Sequence, residues 1–198
     1  RGLGDVYKRQ GIYGAAFNIY NIMLVLSSYG LPMAVSKLVS ARFTKRRYKS
    51  AAKVLRCSLM VAVCTGGIAA LLVFFGASFI ENVIYGGGLP GLAIPLRILA
   101  PTIFLVAILG VIRGFFQGQS TMIPTAVSQI LEQIVNAIVS IAAGYGMMKA
   151  FASSPDVAAY GAAGSTLGTA MGALTAVLFM GFLYAVYTPT FNLSLIHI

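Results

Sequence analysis

Apolar residues run through this chain in five long blocks, separated by short stretches of charge, glycine or proline. A membrane-spanning helix needs about 20 mostly apolar residues. The blocks therefore predict five transmembrane helices, at about 12–41, 57–80, 92–116, 122–148 and 161–187. The expected fold is an all-α integral membrane protein. Gly30-Leu31-Pro32 interrupts the first block and predicts a kink there. Ser50–Arg56 reads as an amphipathic helix start with Ser50 as its N-cap. Glu81–Gly91, ENVIYGGGLPG, reads as a flexible loop. Pro95 falls in the first turn of the third block, and Pro101, deeper inside, predicts a further kink. Pro124 opens the fourth, where a first-turn proline costs little.

The fourth block departs from a plain apolar helix. Thr125, Gln129, Glu132, Asn136 and Ser140 recur at spacings of four, three, four and four, which is one face of an α-helix. Lipid cannot solvate such a stripe, so it must face protein or water. The fifth block carries Gly164, Gly168 and Gly172 at every fourth position. That is small-xxx-small spacing, which lets two helix backbones approach closely.

Composition agrees with this picture. Of 198 residues 59% are hydrophobic and 9% charged, with a mean hydropathy of +0.89. Soluble domains carry roughly 25% charged residues. The net charge of +10 is concentrated: eight of the 14 Lys and Arg residues lie between Lys37 and Arg56, with no acid among them. A single basic loop between apolar blocks is the positive-inside pattern and places Arg42–Arg56 in the cytoplasm. The Glu81–Gly91 loop, with no Lys or Arg, then lies outside. No nucleic-acid partner is expected, because no aromatic platform or recognition-helix pattern accompanies the charge. The basic loop suits anionic lipid headgroups, although topology alone would explain it. Both chain ends depart from the body in character. Residues 1–10 and 191–198 read as a non-native leader and tail, leaving 11–190 as a partial N-terminal bundle.

The chemistry is sparse. The single His is His197, in the tail, and no metal-ligand or nucleophile motif appears. Cys57 and Cys64, seven residues apart, are separated by about 10 Å along a helix, too far for a mutual disulfide. No enzyme and no cofactor are expected. The groups within the spans suit holding a polar ligand: Lys37, Arg113, Gln117, Gln129, Glu132, Gln133 and Asn136. Glu132 reads either as a proton or cation site or as the partner of a neighbouring helix.

Two stretches carry a resemblance. RGFFQGQSTMIPTAVSQILEQIVN, Arg113–Asn136, resembles the signature of the polysaccharide-biosynthesis branch of the MOP exporter superfamily. YGLPMAVSKLVSARF, Tyr29–Phe43, is similar to the second helix of the stage V sporulation protein B and MurJ-like lipid II flippase group within it. The resemblance covers about residues 11–187. It departs from the pattern in lacking a first helix and a second bundle, and in having Asn136 where an Arg is often found.

The resemblance implies two helix bundles around a central cavity, rocking between inward-open and outward-open states. This chain would supply most of the first bundle, and the remainder of its own chain would be a partner. The implied cargo is an undecaprenyl-pyrophosphate-linked sugar, such as lipid II or a polysaccharide precursor, moved across the bacterial plasma membrane. Lys37 and Arg113, expected at one depth, would receive its pyrophosphate. A coupling ion, H+ or Na+, is left open. The rival readings are a cation-coupled multidrug exporter of the same superfamily, using Glu132, and a non-transporting scaffold for cell-wall or spore assembly.

Overall fold

The computed structural model describes residues 2–27, 30–86, 88–152 and 157–196. The chain is an all-α integral membrane protein, with no strand among the described residues. Its helices are α1 (Gly2–Ser27), α2 (Gly30–Thr44), α3 (Tyr48–Phe79), α4 (Ala93–Gly118), α5 (Ile123–Ala150) and α6 (Val157–Ile196). Five segments are long and apolar enough to cross a membrane, with α1 and α2 following one another along the first, Gln10–Thr44. The expected kink adjoins Ser28 and Tyr29, which lie outside the described residues, and α2 begins at Gly30.

The helix α4 is the axis of the fold. Its first half, to Ile103, together with its N-cap Leu92, packs with Ala16 and Tyr20 of α1, Val73 and Ala77 of α3, and Ala159 of α6. The other half, from Ala107 to Phe116, packs with Val35 and Val39 of α2, Leu55 and Ala62 of α3, and Met180 of α6. Half of the most apolar window of α4 is buried, against 6% of that of α5. α5 lies on the outside of the bundle and packs mainly on α6.

Two glycine rows set these contacts. A methyl group on Gly164, Gly168 or Gly172 of α6 would lie 2.6, 2.6 or 2.7 Å from the carbonyl oxygens of Ala143, Asn136 or Glu132 on α5. Gly110, Gly114 and Gly118 of α4 form a second row, against α2. A methyl group there would lie 3.0 Å from Pro32 Cγ, 2.5 Å from the Pro32 carbonyl oxygen and 2.7 Å from that of Ser36, respectively. Side chains would separate these backbones, so glycine is what allows α2 and α5 to dock.

The two turns at the basic end share one design. After α2, the Arg47 N–H bonds the Arg42 carbonyl (2.9 Å) and the Arg46 N–H bonds the Phe43 carbonyl (2.9 Å). After α4, the Thr121 N–H bonds the Phe116 carbonyl (3.4 Å) and the Ser120 N–H bonds the Gln117 carbonyl (3.0 Å). Both are Schellman motifs, and their left-handed positions are held by Arg46 (φ 52°) and Ser120 (φ 61°) rather than glycine. The first motif corrects the expected start of the second span. It reverses the chain so sharply that α3 starts at Tyr48, with Arg47, not Ser50, at the N-cap and no side-chain cap bond.

The opposite end departs from expectation too. α3 continues as a π-helical turn, Ile80–Ile84, into the stretch that reads as a flexible loop. The carboxylate of Glu81 explains the order: it accepts from the backbone N–H groups of Gly91 (3.0 Å) and Ala93 (2.7 Å), capping the start of α4. Near it, Arg97 donates to Ser78 Oγ (2.9 Å).

Candidate functional site

Arg113 sits five residues before the end of α4, on a helix that is otherwise apolar through this half. A bare guanidinium there would cost about 2.5–3.5 kcal/mol on insertion scales. Three residues of α5 answer it. Arg113 Nη2 lies 2.7 Å from Glu132 Oε2, and Arg113 Nε donates to Ser128 Oγ at 3.0 Å. The Ser128 hydroxyl donates in turn to the Thr125 carbonyl at 2.8 Å. The two charged side chains are 15% and 19% exposed, so the pair is shielded on most sides. Thr125 and Ser128 are buried outright.

The pair does structural work. α4 and α5 meet over only a short stretch, because the turn at Ser120 sends α5 outward onto α6. The Arg113 clamp is the polar tie between them. The cation is neutralised by Glu132 and its Nε hydrogen bond is taken by Ser128.

The polar stripe on α5 does not stay on one interface. Ser128 and Glu132 face α4, whereas Asn136 and Ser140 face α6. The Ser140 hydroxyl lies 2.9 Å from Asn136 Oδ1 and 2.8 Å from the Ser165 carbonyl of α6, so its one proton serves one acceptor at a time. Gln129 and Gln133 fall off this path. They are exposed, and with Ala126, Ile130 and Ile134 they line a shallow depression of about 410 Å³. The reason is that α5 meets different neighbours along its length, α4 at Ser128 and Glu132 and α6 from Glu132 to Ala143, so the buried face shifts around the helix. Gln117 is half-buried beside the turn.

Lys37 stands apart. It lies on the exposed side of α2 with Met33, Leu38 and Ala41, while Val35 and Val39 point into the core. It has no hydrogen bond or ion pair among the described residues. The expected common depth with Arg113 needs correcting. Pro32 is level with Gly110 and Gly114, and Ser36 with Gly118, so Lys37 lies nearer the basic end than Arg113 does. Drawing Lys37 and Arg113 into one cradle is therefore not what the packing does.

Two features escaped the sequence reading. Ser128 is four residues before Glu132, a spacing that could have flagged it as part of the same face. The Gly110, Gly114, Gly118 row has the same spacing as the row on α6. Cys57 and Cys64 are free and exposed. No group of three or more metal-ligating side chains occurs among the described residues.

Residues 8–197 match a family model described as polysaccharide biosynthesis protein. The chain is 34% identical over 146 residues to "Lipid II flippase MurJ" of Bacillus subtilis (strain 168), covering 71% of this chain and 27% of that protein. It is 29% identical over 172 residues to "Stage V sporulation protein B" of the same organism, covering 86% of this chain and 31% of that one. An "Uncharacterized membrane protein YabM", again from Bacillus subtilis (strain 168), is 28% identical over 173 residues, covering 87% and 30%. The chain thus spans 27–31% of the length of these relatives. No solved structure matches significantly.

Proposed function

Because the chain belongs to the polysaccharide biosynthesis protein family, we propose that it is part of a flippase for an undecaprenyl-pyrophosphate-linked sugar in the bacterial plasma membrane. The six helices would form most of one bundle, and the cavity would lie between this bundle and the rest of the transporter. The observation that carries the reading is Lys37, a cation within a membrane span, exposed and without an acid partner among the described residues. A membrane-embedded ammonium calls for a counter-charge, and the pyrophosphate of a lipid-linked sugar supplies one as cargo passes. The printed name of one relative, a lipid II flippase, supports the same cargo class.

Arg113 takes a different part. With Glu132 and Ser128 as its partners, it acts as the tie between α4 and α5 rather than as a second phosphate ligand. The same pairing argues against the drug-exporter alternative, which needs Glu132 as a free carboxylate. Gln129 and Gln133 remain candidates for the sugar and its amides, reached from the flank of α5, whereas Asn136 is turned to α6 and bonded to Ser140.

The test is a chimaera in which this segment replaces the matching part of the Bacillus subtilis lipid II flippase. Reconstituted in vesicles, it should move lipid II headgroups across the bilayer above the background of empty vesicles. Lys37→Gln should abolish most of that movement with the protein still folded. A chimaera that folds, inserts and never translocates the headgroup would overturn the proposal.

A further inference from the structure

The first two turns of α3 present a cationic face that the transport reading does not use. Lys49, Lys53 and Arg56 lie four and three residues apart, within about 60° of one another around the helix axis. All three are exposed. On the opposite side Ala51, Val54 and Leu55 are buried in the core. The stripe is held in place from both directions. The turn at Arg46 fixes the start of the helix, and the rings of Phe43 and Tyr48 pack 5.2 Å apart across it.

Neither glutamate answers this charge among the described residues. Glu81 lies at the far end of the same helix, capping α4, and Glu132 is paired with Arg113. The cationic face also continues as an apolar one. Met60, Val63, Leu71 and Phe74 follow on the same side of α3, each exposed by at least 43%. The segment Tyr48–Ile84 is 37 residues long, about 55 Å as a helix, against a hydrocarbon layer of about 30 Å. Its basic end therefore leaves the hydrocarbon and stands among headgroups, while the Met60–Phe74 stretch stands among acyl chains.

We propose that this face of α3 is a binding site for an anionic phospholipid. Lys49, Lys53 and Arg56 hold the headgroup phosphate, and one acyl chain lies along Met60, Val63 and Leu71. Arg contributes paired donors to phosphate oxygens, and each Lys a point charge. The inference concerns the lipid around the protein and is independent of what the protein carries.

The chain contains no tryptophan, so one introduced at Met60 reports on this face alone. The experiment reconstitutes Met60→Trp in vesicles and compares fluorescence quenching by brominated phosphatidylglycerol with quenching by brominated phosphatidylcholine. Either orientation in the vesicle reports, because both leaflets contain both lipids, so a role in setting topology does not enter. The expected result is a preference for the anionic lipid on the order of tenfold, falling as salt is raised. Adding Lys49→Gln, Lys53→Gln and Arg56→Gln should bring the preference to one. A control tryptophan at Phe182, exposed on α6 toward the same end, should show no preference in either background and the same quenching in both, which verifies insertion of the triple variant. Equal quenching by the two lipids at position 60 would overturn the proposal. So would a preference that survives the triple substitution, or an absence of quenching by any lipid, which would mean that protein, such as a second copy, covers the face.

Discussion

Arg113 of α4 and Glu132 of α5 form an ion pair across the one polar meeting of those two helices, Nη2 to Oε2 at 2.7 Å. The pair explains why a chain with so few acids keeps one inside a span. Breaking a shielded pair leaves its other member uncompensated, at a cost of about 3–5 kcal/mol. Arg113→Gln and Glu132→Gln should each lower the thermal unfolding midpoint in detergent. The double substitution should cost less than either single change, because no lone charge remains. If the double variant is as unstable as the sum of the singles, the clamp is not an independent unit.

Lys37 should behave in the opposite way. It is exposed and without a partner among the described residues, so Lys37→Gln should change stability by no more than about 0.5 kcal/mol. Affinity for a pyrophosphate-linked lipid, measured by native mass spectrometry on the chimaera, should fall by about 1–3 kcal/mol, the range of a charge-assisted hydrogen bond. Retained affinity would remove Lys37 from any cargo site.

The glycine rows make a stability prediction with an internal control. A methyl group at Gly168 would meet the Ser140 hydroxyl oxygen and lie 2.6 Å from the Asn136 carbonyl oxygen, so α5 and α6 must separate to admit it. Gly168→Ala should destabilise by about 1–3 kcal/mol, as overpacking does. Gly181 on the same helix faces open space. Gly181→Ala should be neutral or mildly stabilising, because alanine favours a helix over glycine. Equal effects at the two positions in thermal unfolding would show that the close approach is not what the row serves.

Topology is open to direct measurement in whole cells. With Cys57 and Cys64 replaced by alanine, Lys45→Cys should react only with reagent admitted to the cytoplasm, and Asn82→Cys with impermeant reagent from outside. Both positions are exposed, at opposite ends of α3. The reverse pattern would turn the bundle over and put the basic end on the outer face, against the positive-inside rule.

The number of spans, their approximate limits and the packing role of Gly164, Gly168 and Gly172 follow from the sequence alone. These are local properties: a run of apolar side chains selects a helix in lipid wherever it lies, and small residues every fourth position mark one side of that helix. What Arg113 pairs with is not local. It depends on the rotation and register of α5 against α4, which the Ser120 turn and the Gly168 row together set. The same is true of the α5 stripe. Its spacing places Thr125, Gln129, Glu132, Asn136 and Ser140 on one side of an isolated helix, but α4 meets that helix at Ser128 and Glu132 and α6 meets it higher up, so Gln129 ends up exposed and Ser128 buried. The central place of α4 likewise belongs to the tertiary structure, since its span is about as apolar as that of α3 and only the packing of its neighbours makes it the more buried of the two.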